Sequence, residues 1–461
     1  MNNNWAGKRV LIIGAARQGL ALARYLLSKD ALVTVNDQHT AEQLQPAIEG
    51  LSHANLRWEL GAHPLSLLDQ TDLVCISGGV PLTLPILVEA VKRGIPLSND
   101  SQIFMEACPA PVIAITGSAG KTTTTTLVGR MAQHAAGSSH KAFVGGNIGL
   151  PLVEYLDEIK ADDLVVLELS SFQLEQMTIS AHVAAVLNIT PNHLDRHGTM
   201  EAYTAAKARV LQFQQTGDIA ILNRDDAGSM ALLPMVKGRT VTFGFDRPEK
   251  NQTGTFVANN KVYWMENGKE TEILPVNLIR LRGQHMLATV LAACAIAFTA
   301  GFSIEDMLAG VSGFTGVAHR MELVRVWHGI QWYNDSIATA PERVSAAIRA
   351  FNEPIVLLLG GRDKNLPWQD LSELVHERVD HVILFGEAAE KIAASLGDVS
   401  SEQRPFTIQR CTVLKDAVQA ASQVAQPGDV VLLSPGGTSY DEFKDFEERG
   451  EVYRQWVNQL S

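Results

Sequence analysis

Cysteine is sparse: Cys75, Cys108, Cys294 and Cys411 stand far apart, with no Cys-x-x-Cys pair among 461 residues. That scatter excludes a cysteine zinc site and a disulfide framework, and fits a reducing interior. Basic charge is also short, since 38 Lys and Arg against 50 Asp and Glu leave a net −12. A nucleic-acid surface needs clustered Lys and Arg, so no nucleic-acid partner is expected. Apolar runs such as Leu287 to Ala300 are too short to cross a membrane. The start, Met1 to Trp5, is polar and predicts no signal peptide. The chain therefore reads as cytoplasmic, with no membrane partner.

Apolar residues at 46% and charged ones at 19% are ordinary for a folded protein, and the length predicts two or three domains. Strand and helix signals alternate. Arg9 to Gly14 reads as a buried strand, Gly19 to Lys29 as a helix, Ala31 to Asp37 and Leu73 to Ser77 as further strands. Such βαβ alternation implies a parallel, doubly wound sheet. Its glycine pattern, Gly14 then Gly19, lacks the middle glycine of a dinucleotide fingerprint, which disfavours NAD. Two prolines in Cys108-Pro109-Ala110-Pro111 suggest a boundary. A second α/β run follows, with strands at Val112 to Ile115, Leu164 to Glu168, Val183 to Asn188 and Ala220 to Asn223. Residues 240–275 alternate around turns at Asn259-Asn260 and Asn267-Gly268, and predict a small antiparallel insertion. A helix over Met286 to Ala300 leads to Gly313 and Gly316, a second boundary. Strands at Ile355 to Leu359, His381 to Phe385 and Val430 to Leu433 build the last part. The expected architecture is α/β, with three consecutive α/β domains over 1–108, 109–315 and 316–461. The first and third are Rossmann-like, and the central one carries the insertion.

The densest chemistry lies in Ala114-Ile115-Thr116-Gly117-Ser118-Ala119-Gly120-Lys121-Thr122-Thr123. An apolar strand, a glycine loop and a helix in that order leave backbone N–H groups at a helix N-terminus, ready for an anion. Lys121 adds a point charge for phosphate, and Thr122 a hydroxyl for Mg²⁺. A full phosphate loop has a further glycine where Ile115 stands, so this is a shortened Gly-x-x-Gly-Lys-Thr form. In doubly wound sheets ligands collect at the carboxyl ends of strands. Glu168 closes one such strand, where nucleotide enzymes keep a magnesium-binding carboxylate. Asn188, Thr190, Asn192, His193 and Asp195 follow another. Together they make a hard-cation site beside a phosphate pocket. Lys207, in Glu201 to Arg209, reads by composition as a helix-surface lysine.

These pieces together resemble the Mur ligase family of peptidoglycan synthesis over nearly the whole chain. The motifs that carry the resemblance are the Gly117 to Thr123 loop, Gly145-Gly146-Asn147-Ile148-Gly149, Leu167 to Glu175, Asn192-His193-Leu194-Asp195-Arg196 and Tyr203 to Lys207. Gly283-Gln284-His285, His319-Arg320, Asn334-Asp335-Ser336, Ser434 to Ser439 and Phe443 to Phe446 continue it. The resemblance implies a UDP-substrate domain, an ATP domain and a glutamate domain in that order. It also implies an activity, the ATP-dependent joining of D-glutamate to UDP-N-acetylmuramoyl-L-alanine through an acyl phosphate, by a monomer. Gly117, Ser118, Ala119, Gly120, Lys121, Thr122, Thr123, Asn147, Arg320 and Asp335 then contact ATP. Thr122, Glu168, His193 and Lys207 hold Mg²⁺, with Lys207 carrying a carbamate. Lys121, Glu168, His193 and Lys207 form the catalytic set. Asp37 and Gly79 serve the uridine side of the substrate, and Ser170 and Gln173 its muramoyl side. Thr339, Lys364, Ser439 and Phe446 hold glutamate.

Departures from the family pattern fall at Ile337 and Ala340, where a lysine and an asparagine are usual, and at Met286, where an asparagine is usual. They leave L-glutamate as an alternative amino acid and the adenine contact open. A folylpolyglutamate-type ligase lacks the first domain, and an NTP hydrolase or kinase leaves that domain and the Ser-Pro-Gly-Gly motif unexplained. An idle nucleotide-binding module does not need Lys121, Glu168, His193 and Lys207 all together. Because Arg320 and Asp335 fall in a different expected domain from the phosphate loop, ATP binding is predicted to close the third domain. Small-angle scattering then gives a smaller radius of gyration with a nonhydrolysable ATP analogue; unchanged dimensions contradict closure.

Overall fold

Runs of buried branched residues form the strands of three sheets, described in a computed structural model over residues 4–51, 56–149, 151–281, 283–364, 366–397 and 402–460, without the side chain of Asp195. Met1 to Asn3 of the polar start and the Asp195 side chain of the Asn192 to Arg196 motif therefore lie outside the described residues. The first sheet takes β1 (Arg9–Ile13), β2 (Leu32–Asp37), β3 (Arg57–Leu60), β4 (Leu73–Ile76) and β5 (Leu97–Ser98), in spatial order 3-2-1-4-5 and all parallel. The order reverses between β1 and β4, so the crevice at their carboxyl ends lies over Gly14 and Ser77 to Gly79.

The second sheet has nine strands: β6 (Val112–Thr116), β7 (Ala142–Gly146), β8 (Leu164–Glu168), β9 (Val183–Val186), β10 (Ile219–Asn223), β11 (Arg239–Phe243), β12 (Gly254–Ala258), β13 (Lys261–Glu266) and β14 (Lys269–Pro275). Their order is 14-13-12-11-10-9-6-8-7. β6 is buried along its whole length between β8 and β9, which is why it reads as an unbroken apolar run. The expected hairpin turns are present: Asn259 and Asn260, then Asn267 and Gly268, all have positive φ, as tight two-residue turns require. They form the expected small antiparallel insertion, which is continuous with the main sheet. β12 pairs in parallel with β11 through Thr242 and Gly254, so the hairpins extend the main sheet at its edge. Helix Lys121–Ala136 packs on Gln284–Thr299 and Ile304–Val311. The middle of Gln284–Thr299, Val290 to Ala297, is fully buried, matching its all-round apolar composition.

The third sheet runs β15 (Glu322–Trp327), β16 (Ile330–Asn334), β17 (Ile355–Gly360), β18 (His381–Phe385), β19 (Thr407–Arg410) and β20 (Val430–Gly436), in order 15-16-20-17-18-19. Only β15 is antiparallel. β15 and β19 escape the sequence reading because both are edge strands with exposed or half-buried residues. The chain packs as two compact units: Met1–Ile279 with Gln284–Phe314 holds the first two sheets, and Arg280–Gly283 with Thr315–Ser461 holds the third. Among the described residues no helix is long and apolar enough to cross a membrane.

Within the first unit, Asn99 donates through Nδ2 to the Gln173 carbonyl at 2.7 Å, and Gln102 accepts from the Thr178 N–H at 2.8 Å. These bonds, one buried and one part-buried, join the first two sheets. The exposed pairs Arg24–Glu154 and Lys29–Asp157 add little beside them. Gly146 ends β7 at φ 109°, and a Cβ there sits 2.4 Å from the Glu168 carbonyl oxygen. Backbone cannot yield as a flexible side chain can. Gly146→Ala is expected to cost about 1–3 kcal/mol by denaturant unfolding, against about 0.5 kcal/mol or less for Gly217→Ala, whose Cβ meets nothing. Equal midpoints for the two variants contradict the close approach.

Candidate active site

The phosphate loop joins β6 to helix Lys121–Ala136 through Gly120, in the left-handed region at φ 80°. Gly117 is required by packing, since a Cβ there comes 2.9 Å from that of Leu187. Three neighbours hold the loop. Asn188 accepts from the Ala119 N–H at 2.8 Å and donates to the Ala119 carbonyl at 3.1 Å. The Ser118 hydroxyl donates to the Thr190 carbonyl at 2.9 Å and accepts from the Thr190 N–H at 2.9 Å. It also accepts from the Tyr203 hydroxyl at 2.9 Å. Lys121 Nζ folds back to the Gly117 carbonyl at 2.9 Å. Thr122 is half-buried and Thr123 buried in the first turn, whose N–H groups lack intrahelical partners.

Lys207 is not on a helix surface. It is 1% exposed, and its Nζ donates to the same Gly117 carbonyl at 2.8 Å. Tyr203, Ala206, Lys207, Val210 and Leu211 form one buried stripe of helix Met200–Gln212, so the three-and-four spacing was the signal that composition concealed. Burial pushes the Lys207 ammonium down to about 6, and the charge of Lys121 pushes the same way against the pull of Glu168. Glu168, read from sequence as a magnesium-binding carboxylate, is 0% exposed. Its Oε1 accepts from Asn147 Nδ2 at 2.9 Å, while Oε2 has no hydrogen-bond partner among the described residues. A buried carboxylate oxygen without a partner is costly, and with the hydroxyl of Thr122 it offers the hard donors that Mg²⁺ takes. His193 is exposed, at φ 54° before the turn Leu194–His197, with its ring 5.1 Å from Phe172. Of the expected magnesium ligands only Glu168 and His193 carry acidic or imidazole donors, too few for a cluster of three such residues. Among the described residues such a cluster occurs at the exposed His140 and Asp162 with the buried Asp163, which already accepts from the Lys141 and Lys160 N–H groups.

Beside this site an open cleft of about 240 Å³ lies between the first two sheets, lined by Gln18, Gly78, Gly79, Asn147, Ser170 and Phe172 among others. It thus gathers Asn147, expected at ATP, with Gly79 and Ser170, expected at the UDP-substrate. Gln173 reaches it only indirectly. Its Oε1 accepts from the Ser170 N–H and hydroxyl at 3.0 and 2.9 Å, and its Nε2 donates to Ser101 Oγ at 2.8 Å. Asp37 accepts from the Ala15 N–H at 2.7 Å and the His39 N–H at 2.9 Å. Burial pulls its carboxyl up, but those bonds prevail and hold it below the ordinary range.

In the second unit the expected residues cluster at the carboxyl ends of β16, β17 and β20. Asp335 accepts from Ser434 Oγ at 2.9 Å and from the Met321 N–H at 3.2 Å. Burial pushes it up to about 7, against those bonds and the charge of Arg320. Arg320 lies between His319 and Met321, both at positive φ, a strain that the Asp335 bond helps hold. Lys364 is exposed and donates to Thr339 Oγ1 at 3.0 Å. Ser439 is buried, and its carbonyl accepts from the Phe443 N–H at 2.8 Å. The Phe446 carbonyl accepts from Ser336 Oγ at 2.8 Å. Arg449, unnoticed in the sequence, is fully buried and ties Ser336 to Gly437 through its guanidinium.

Three family descriptions match the chain in order: the Mur ligase MurD-like N-terminal domain over residues 8–99, the Mur ligase middle domain over 115–297, and the Mur ligase glutamate ligase domain over 319–437. The sequence is 40% identical over 454 residues to the UDP-N-acetylmuramoylalanine--D-glutamate ligase of Symbiobacterium thermophilum, covering 98% of each chain. It is 39% identical over 456 residues to the ligase of that name from Koribacter versatilis, covering 99% of this chain and 98% of that one. Among solved structures, the UDP-N-acetylmuramate-alanine ligase MurC of Thermotoga maritima aligns with a TM-score of 0.58 at 19% identity, over 98% of this chain and 99% of that one. A MurF of Acinetobacter baumannii aligns at 0.56 and 16% identity, over 98% and 92%. These two likenesses concern the fold. By its sequence, this chain belongs to the Mur ligase family.

Proposed function

We propose that this chain is an ATP-dependent ligase that joins D-glutamate to UDP-N-acetylmuramoyl-L-alanine and releases ADP and phosphate, in the cytoplasmic synthesis of peptidoglycan precursors. The observation that carries the reading is the meeting of Lys121 and Lys207 on one carbonyl, near a buried Glu168 with an unpartnered oxygen. Relatives about 40% identical over nearly the whole length bear the name of that activity. Residues 1–108 bind the UDP-substrate, 109–315 ATP and 316–461 glutamate, in a monomer.

The alanyl carboxylate attacks the γ-phosphorus, the bond to the ADP oxygen breaks, and an acyl phosphate forms. The unprotonated amine of glutamate then attacks the acyl carbon, the bond to the phosphate oxygen breaks, phosphate leaves, and the nitrogen gives up one proton to solvent as the amide forms. Lys121 stabilises charge on the transferring oxygens, and the loop N–H groups of Gly117 to Thr123 cradle the phosphates. Thr122, Glu168, His193 and Lys207 would hold magnesium, which would neutralise phosphate charge. Asn147 positions Glu168, and Arg320 and Asp335 contact ATP. Gly79 and Ser170 face the UDP-substrate, with Asp37 shaping the loop at Ala15 and Gln173 orienting Ser170. Thr339, Lys364, Ser439 and Phe446 receive glutamate. Holding the two reactants together supplies about 7–11 kcal/mol of the barrier.

Lys207 enters as a carbamate. Burial beside Lys121 favours its free amine, whose lone pair adds to the carbon of CO₂ as a proton leaves. The neutral amine becomes a carbamate anion, whose oxygens would serve as magnesium ligands. Lys207→Ala is expected to lose nearly all ligation, and a short carboxylic acid to restore part of it. Full activity of that variant removes the carbamate from the account.

Incubation with ATP, Mg²⁺ and UDP-N-acetylmuramoyl-L-alanine, with D-glutamate, L-glutamate or neither, tests the reaction itself. ADP release is expected to need both the UDP-substrate and D-glutamate. Release without an amino acid indicates a hydrolase, and release with L-glutamate assigns Ile337 and Ala340 to a changed specificity.

A further inference from the structure

Arg196 reaches from the turn Leu194–His197 beside the second sheet to the loop after β4 of the first. One guanidinium nitrogen donates to the Gly79 carbonyl at 2.9 Å, and another donates to the Val80 carbonyl. The guanidinium lies over the Phe172 ring, 4.5 Å from its centre. His197 stacks on the same ring at 5.2 Å with 5° between planes, and His193 meets it at 5.1 Å. Phe172 and Gly79 both line the cleft.

Val80, Leu82 and Leu84 pack against the apolar core of the first sheet, whereas the glycine tip of the loop has no side chain to hold it. Gly78 and Gly79 are consecutive glycines, and the space where a Gly79 Cβ belongs is open to 4 Å. Two residues without side chains are costly to order, and the Val80 N–H bond to the Ser77 carbonyl closes only a local turn. A planar fork that bonds two successive carbonyls while stacked on an aromatic face fixes position and orientation together, which an ammonium does not. We infer that Arg196 is a positioning residue for the UDP-substrate: it holds the Gly79 loop against Phe172, so that one wall of the cleft is set before the substrate arrives. The inference rests on the proposed reading of the cleft as the UDP-substrate site.

Steady-state kinetics and calorimetry on Arg196→Ala and Arg196→Lys test it. Both variants are expected to raise KM and weaken calorimetric affinity for UDP-N-acetylmuramoyl-L-alanine about tenfold or more, with kcat and the KM for ATP within about twofold of the parent. Arg196→Lys keeps charge and bulk without the fork, so it carries the test if the alanine variant fails to fold. Undiminished substrate affinity in Arg196→Lys overturns the proposal, as does a loss shared equally by both KM values and the thermal midpoint. A parent enzyme that does not bind the UDP-substrate overturns the reading of the cleft instead, without reference to any variant.

Discussion

The carbonyl oxygen of Gly117 accepts from two lysines at once, and the central site is built around that shared atom. Two full positive charges on one acceptor are tolerable in water but not in a dry interior. Lys207 resolves the conflict because burial and the charge of Lys121 together favour its neutral amine. The loop cannot drift to separate them. Asn188 grips Ala119 from both sides, Ser118 is locked to Thr190 and Tyr203, and Gly117 packs against Leu187. Positioning of this kind is where an enzyme of phosphoryl and acyl transfer does most of its work, since little covalent chemistry falls to the protein.

Glycine and buried polar bonds carry the same logic outward from the loop. Gly146 lets β7 approach the backbone of Glu168, which places Asn147 within reach of the carboxylate. Asn99, Ser101 and Gln173 then link that region to the first sheet, and Gln173 caps the turn that carries Ser170. The wall of the cleft and the carboxylate are therefore built on one connected frame. In the second unit Arg449 has a comparable role, joining the loop after β16 to the glycine loop after β20 from a fully buried position.

Features whose cause is local were legible in the sequence. The phosphate loop announces itself because a tight strand-to-helix turn needs glycine at fixed offsets, and the hairpins because Asn259-Asn260 and Asn267-Gly268 suit positive φ. Buried central strands such as Val112 to Thr116 read as apolar runs for the same reason. What depends on tertiary pairing was hidden. Nothing local says that β12 joins β11, or that β15 and β19 pair as weak edges. Lys207 read as a surface residue from composition, although its helical spacing from Tyr203, Val210 and Leu211 placed it on the buried stripe. Asn188 stood in view at a strand end, but its grip on Ala119 depends on two distant segments meeting. Arg196 looked like one letter of a motif, and its bonds to Gly79 and Val80 cross more than a hundred residues of chain.

The most direct measurement is a crystal structure of the full chain with a nonhydrolysable ATP analogue and Mg²⁺. The terminal phosphate is expected within hydrogen-bond reach of Lys121, with a magnesium ion bound by Thr122 Oγ1 and by the Glu168 oxygen that has no partner among the described residues. A nucleotide bound away from the Gly117 loop, or a metal that leaves Glu168 untouched, contradicts it.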